Sequence, residues 1–255
     1  MKNIWIVAKR DLGSSFNSPV FYCLTTVFLV LNGFIFVNIL NFFSLQSFQV
    51  QQQRGANIGL NLNEMVIEPS LQNMAVILLL IIPLVTMRSF AEEKKSKTFA
   101  LLLSSPIHLG EIIFGKFLAC MIIIGLMIIL SVYSIGYLIF VGQPEIGPIF
   151  TGYLGMFLMA GCYVSMGLFA SSLTDNQIVA AATSFGLALL MWILGWATHA
   201  AGPELGQLLE YLALVTHLEP FLKGLINSSD LVYYFSFILF GLFLTHRVLE
   251  SSRWR

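Results

Sequence analysis

Long apolar runs alternate with short polar segments along this chain, and the alternation lays out a membrane topology. The runs at 20–43, 72–87, 113–141, 148–171, 178–198 and 231–249 are almost free of charge. Each is long enough, or nearly so, to cross about 30 Å of hydrocarbon as a helix. Pro83 sits inside the second run, where neighbouring groups can re-satisfy the carbonyl it frees. The first run exceeds a signal-peptide core and lacks a small-residue cleavage site, so it reads as a retained span. Gly161 and Ser165 in the fourth run form a small-xxx-small pair suited to close helix packing.

The polar connections carry their own patterns. Residues 1–18 set Lys2, Lys9 and Arg10 against Ile4, Val7 and Leu12, which predicts a short helix at the membrane surface, ended by Ser18 and Pro19. Residues 44–71, rich in glutamine and holding Arg54, Glu64 and Glu68, read as an outer loop, and 142–147 and 172–177 as an outer and an inner turn. Within 199–229, Leu205, Leu208, Leu209 and Leu212 follow the i, i+3, i+4, i+7 spacing. That spacing predicts an amphipathic helix on the outer leaflet, broken at Glu219 and Pro220. Asp230 is placed to cap the sixth span.

One connection differs from the rest. Residues 88–106 form a polar island holding Arg88, Glu92, Glu93, Lys94, Lys95 and Lys97, six of 26 charged side chains, in about three turns of helix. Glu93 and Lys97 are spaced as a stabilising helical pair, and Phe90, Phe99, Leu102 and Leu103 supply an apolar side. Two readings fit: an amphipathic cytosolic helix, or a solvated loop that fixes topology.

Charge then orients the layout. With the N-terminus inside, eleven of the 13 basic residues fall on the inner side, among them Lys116, Arg247, Arg253 and Arg255, and only Arg54 and Lys223 fall outside. The composition agrees: 57% hydrophobic and 10% charged residues, against about a quarter charged in soluble domains, with a mean hydropathy of +0.84. The chain therefore reads as an all-α polytopic membrane protein of six spans, a single transmembrane domain over 1–255 with both termini cytosolic. Cys23, Cys120 and Cys162 lie in apolar runs and suggest neither a disulfide framework nor a zinc site.

Candidate chemistry is sparse. Residues 110–116 fit the first seven positions of a phosphate-binding loop, but Phe117 stands where the hydroxyl belongs and no strand precedes it. Gly115 reads instead as a packing glycine and Lys116 as an interfacial anchor whose head snorkels to the boundary. No span interior holds a charge of the kind an ion-driven carrier needs. Ser165 and His199 lie at incompatible depths for a serine protease, and His108, His217 and His246 are scattered. No catalytic, cofactor or metal site is expected, and no nucleic acid partner. A charged cytosolic element without an energy source points to energy supplied by another subunit. The rival reading is a membrane scaffold that anchors other proteins and transports nothing.

The island 82–98, continuing through 101–106 to Gly115 and Lys116, resembles the second-to-third-span region of type-2 ABC exporter permeases. It is most similar to the branch that includes the gliding-motility permease and the permease for nitrous-oxide-reductase maturation. Residues 9–20, 173–177 and 223–233 fit the same pattern, with Lys97 where the family usually has glycine and Lys223 where arginine is usual. The resemblance implies a permease of a bacterial inner membrane that pairs with a second permease copy or homologue. Two cytosolic ATPase subunits would bind the ATP and magnesium, and an auxiliary extracytoplasmic protein would be a further partner. The island would be a coupling helix, with Phe90, Glu92, Glu93, Lys94 and Thr98 contacting the ATPase and the N-terminal helix beside it. Leu205, Leu208, Leu209, Leu212, Glu219 and Lys223 would form an outer gate or docking surface. The aliphatic, small and aromatic residues of the spans are themselves compatible with export of lipid, polysaccharide or peptide, and equally with force transmission without a substrate.

Overall fold

All regular structure among the described residues is helical in the computed structural model, which describes residues 2–52, 61–98, 107–142, 144–197 and 202–252. The elements run α1 (Lys2–Phe16), α2 (Pro19–Gln52), a π-helical turn (Asn63–Ile67), α3 (Glu68–Thr86), α4 (Arg88–Lys95), α5 (Leu109–Gly142), α6 (Ile146–Leu173), α7 (Gln177–Ala197), α8 (Pro203–Leu212), α9 (Glu219–Leu222) and α10 (Ser228–Ser252). Among these residues six stretches are long and apolar enough to cross a membrane: Pro19–Gln49, Asn63–Lys95, Leu109–Phe140, Ile146–Leu173, Gln177–Ala197 and Ser228–Ser252. The protein is an all-α polytopic membrane protein. Arg54, Phe99, Leu102, Leu103, Pro106, His199, Arg253, Trp254 and Arg255 lie outside the described residues.

The helices overrun the apolar runs that predict them. α2 continues to Gln52, through residues that read as loop, because no glycine or proline interrupts 44–52. The polar side chains there are satisfied locally: Ser44 and Ser47 donate to the carbonyls of Asn41 and Phe43, each at 2.8 Å. At 34 residues each, α2 and α5 are about 50 Å long, so both project beyond the hydrocarbon layer. The second span begins before residue 72, since the π-helical turn runs straight into α3, with Pro69 in the first turn where its missing N–H costs nothing.

α6 is the centre of the bundle, with 83% of its apolar window buried. Two of its glycines explain how neighbours come so close. A Cβ at Gly161 would stand 2.8 Å from Ile238 Cδ1 of α10, and one at Gly167 would collide with Thr86 Oγ1 of α3. Ser165, in the same helix, donates to the Cys162 carbonyl at 2.8 Å and packs on Gly241 of α10. Ser165 is thus a buried packing serine. At one end of the bundle α1, α4, the start of α5 and the end of α6 converge; at the other lie α8, α9 and the start of α10.

Candidate functional site

The polar island folds as a single short helix. α4 follows α3 after one turn residue, Met87, which supplies no side-chain cap. The cap comes from elsewhere in the chain. Ser171 Oγ, fully buried at the end of α6, accepts from the Phe90 and Ala91 amides at 3.0 and 3.1 Å and donates to the Met87 carbonyl at 3.0 Å. One hydroxyl so satisfies two of the donors that a helix start leaves open. Lys94 Nζ reaches the carbonyl of the next residue, Ser172, at 2.5 Å.

The helix ends at Lys95, and Lys97 adopts φ 58°, the left-handed conformation that closes many helices. Lys97 is therefore past the helix, and the expected Glu93 and Lys97 pair does not form. The geometry also accounts for the glycine that the resemblance places at this position, since a left-handed residue costs a side chain about 1–2 kcal/mol that glycine is spared.

Glu93 turns instead toward Lys116. The Lys116 ammonium donates to Glu93 Oε1 at 2.9 Å, Asp11 Oδ2 at 3.0 Å and the Ser89 carbonyl at 2.6 Å, and lies 5.1 Å from the centroid of the Phe90 ring. Arg10 completes the cluster, bonding Asp11 Oδ1 at 2.8 Å and Glu93 Oε1 at 2.7 Å. Burial works against the Arg10 charge, but Asp11 and Glu93 outweigh it and raise the guanidinium pKa above its ordinary value.

Lys116 is thus no snorkelling anchor. With 3% of its side chain exposed, it is a buried ion whose charge is matched by carboxylates from α1 and α4. Gly115 makes this possible, because a Cβ there would stand 2.8 Å from Val7 Cβ and 2.9 Å from the Ile4 carbonyl. α1 can therefore lie directly on the start of α5, where Asn3 also donates to both oxygens of Glu111, at 3.3 and 3.1 Å. Sequence reasoning missed Asp11, Arg10, Lys116 and Ser171 as parts of this assembly; the run of charges in α4 gave no hint of where its partners lay.

The residues expected to meet an ATPase divide into two groups. Phe90 is fully buried beneath Lys116, and Glu93 is engaged by Lys116 and Arg10. Both work inside the chain. Glu92 and Thr98 are exposed, and Lys94 is partly so. Thr98 Oγ1 also lies 3.3 Å from the Glu93 carbonyl, folding the end of the segment back onto α4.

At the opposite end, Leu205, Leu208 and Leu212 point away from the protein at 64%, 62% and 49% exposure, while Leu209 is half-buried. The helix that carries them stops at Leu212 rather than at Pro220. Ala213 is extended, and Pro220 sits in the first turn of α9, where proline favours a helix start. Glu219 and Lys223 are exposed at the two ends of α9.

The chain between α8 and α9 is tied to α10. His217 Nδ1 lies 2.7 Å from Asp230 Oδ1, its Nε2 lies 3.0 Å from the Tyr211 carbonyl, and its ring stacks on Tyr233 at 3.9 Å. Both ring nitrogens thus lie within hydrogen-bonding distance of an oxygen. Tyr233 and Tyr234 hydroxyls donate to the Leu212 and Leu214 carbonyls at 2.7 and 3.0 Å. Asp230 thus holds His217 and the Asn227 amide, where the sequence suggested a helix cap.

Compared with known proteins, residues 5–244 match the family model described as ABC-2 family transporter protein. No match was found among curated proteins.

Proposed function

The chain belongs to the ABC-2 family of transporter proteins, and from that premise we propose that it couples ATP hydrolysis by a separate cytosolic subunit to export or mechanical transmission across a bacterial inner membrane. The family makes it a permease component of an ABC transporter and implies an ATP-binding cassette partner. In this reading α4 is the coupling helix, α1 lies beside it, and both termini are cytosolic. The permease works as a pair with a second copy or homologue. The resemblance of the island motif supports reading it as a relative of the gliding-motility and nitrous-oxide-reductase-maturation permeases, and the exposed leucines of α8 would serve an outer gate or an extracytoplasmic partner.

The observation that supports this most is the way α4 is fastened. Glu93 joins it through Lys116 to α5 and through Arg10 to α1, and Ser171 joins its first turn to α6. A solvated spacer needs no such attachments. A partner pressing on α4 would move three other helices with it, which is the mechanical requirement of a transmission element. The contact surface is then the exposed side, Glu92 and Thr98 with Lys94 at its edge, while Phe90 and Glu93 carry the displacement inward.

The test is to purify the complex with Glu92→Lys and Thr98→Tyr. Both variants should fold as the parent does and lose ATPase co-purification or ATP-dependent activity. Full activity with an unchanged subunit ratio in the double variant would remove α4 from the coupling role.

A further inference from the structure

A cavity of about 390 Å³ opens where α1, α3, α4 and α5 meet, a volume in the range of small-molecule sites. Its upper wall is polar: Arg10, Asp11, Glu92 and Glu93 with the hydroxyls of Ser14 and Ser18. Its floor includes Val85, Ala119 and Ile123, from the spans α3 and α5. Arg88 and Lys116 also line it, so three cations face three carboxylates and the cavity is formally neutral.

The pairing inside it is incomplete. Lys116, Arg10, Asp11 and one oxygen of Glu93 satisfy one another, as described above. Arg88 forms no ion pair among the described residues; its Nε is buried without a partner, and Nη1 reaches only Ser18 Oγ at a long 3.4 Å. Glu93 Oε2 is also buried without a partner. A donor and an acceptor are thus both left open in one neutral cavity, and each carries the desolvation penalty of an unmet polar group. A plain anion would answer Arg88 and leave the Glu93 oxygen facing like charge. A zwitterion would answer both.

We propose that this cavity binds the phosphoethanolamine headgroup of a phospholipid. The phosphodiester accepts from Arg88 and the serine hydroxyls, a charge-assisted contact. The primary ammonium donates to the open Glu93 Oε2, and the glycerol and acyl chains pass over Val85, Ala119 and Ile123. The site lies where the polar cluster meets the apolar spans, the level at which a lipid headgroup sits. A lipid bound there rests against α1, α4 and α5 together, so it steadies the same attachments that fasten α4, whether or not α4 meets an ATPase.

The experiment uses the full chain, delipidated in detergent with its co-purifying subunits, and native mass spectrometry with four probes. These are dioleoyl phosphatidylethanolamine, the matching phosphatidylcholine, the matching phosphatidylglycerol, and inorganic phosphate. One phosphatidylethanolamine should be retained per chain, at least tenfold more tightly than phosphatidylcholine, which has the phosphate but no ammonium N–H. Arg88→Gln should bring the first lipid down to the level of the second. Ser14→Trp, at an exposed position on the cavity wall, should do the same by obstruction, and it decides the matter if the Arg88 variant fails to fold. Equal retention of phosphatidylcholine, equal or tighter binding of phosphatidylglycerol, displacement by inorganic phosphate alone, or undiminished binding in both variants would each overturn the assignment.

Discussion

Lys116→Met isolates the contribution of the buried charge cluster. Methionine keeps the length and packing of the lysine stem and removes only the ammonium. Asp11 Oδ2 and Glu93 Oε1, at 3.0 and 2.9 Å from that ammonium, would then face each other with Arg10 as the remaining cation. Removing one member of a buried pair costs about 3–5 kcal/mol. Asp11 and Glu93 keep 21% and 16% of their side-chain exposure, so water can enter, and the lower figure applies: about 3 kcal/mol, or roughly a hundredfold in the folding equilibrium. An exposed interfacial lysine would cost at most about 1 kcal/mol. Equilibrium unfolding in mixed micelles with increasing SDS measures the difference. Adding Glu93→Gln to the methionine variant removes one of the stranded charges, so the double variant should recover part of the loss, with a coupling of about 1–3 kcal/mol. A Lys116→Met chain within 1 kcal/mol of the parent, or strictly additive losses, would refute the buried-cluster account.

Ser171→Ala should expose the first turn of α4 to hydrogen exchange and cost about 1–2 kcal/mol, since two amides and a carbonyl lose one shared partner; Ser172→Ala, whose carbonyl rather than hydroxyl is used by Lys94, should leave that exchange unchanged. Lys97→Gly should raise stability by about 1 kcal/mol by relieving the left-handed backbone at φ 58°, read as a higher unfolding temperature; a lower one would contradict the cap geometry. His217→Gln and Asp230→Asn should each loosen the segment between α8 and α9, and a double-mutant cycle should show coupling of about 1–3 kcal/mol between two groups 2.7 Å apart.

The spans were legible in the sequence because hydrocarbon imposes a length and a composition that no other environment demands. Where spans end was less so. Residues 44–52 look like loop by composition, yet nothing in them breaks a helix, and hydropathy does not register continuation into water. The island was legible as a site of unusual charge density, but local spacing pairs Glu93 with Lys97, four residues on, and cannot see Lys116, 23 residues on, or Asp11, 105 residues before Lys116. The same blindness made Lys116 read as an anchor, since a lysine near a span end is ordinarily solvated. Ser171 carried no signal at all, because a serine closing one helix and a serine capping another look identical in one dimension. His217 and Asp230 were each visible, but only the fold of the intervening turn brings them together.

α6 is fastened near both of its ends. Thr151 Oγ1 donates to the Phe221 carbonyl of α9 at 2.6 Å, and Ser171 holds α4 twenty residues later, about 30 Å along a helix axis. That distance is also the thickness of the hydrocarbon layer. The helix is therefore a gauge set between two latches. In a bilayer several Å thinner or thicker, the interfacial elements α4 and α9 are drawn toward spacings the gauge does not share, and one latch or the other is strained. A mismatch in membrane thickness would then load the most buried of the six spans first.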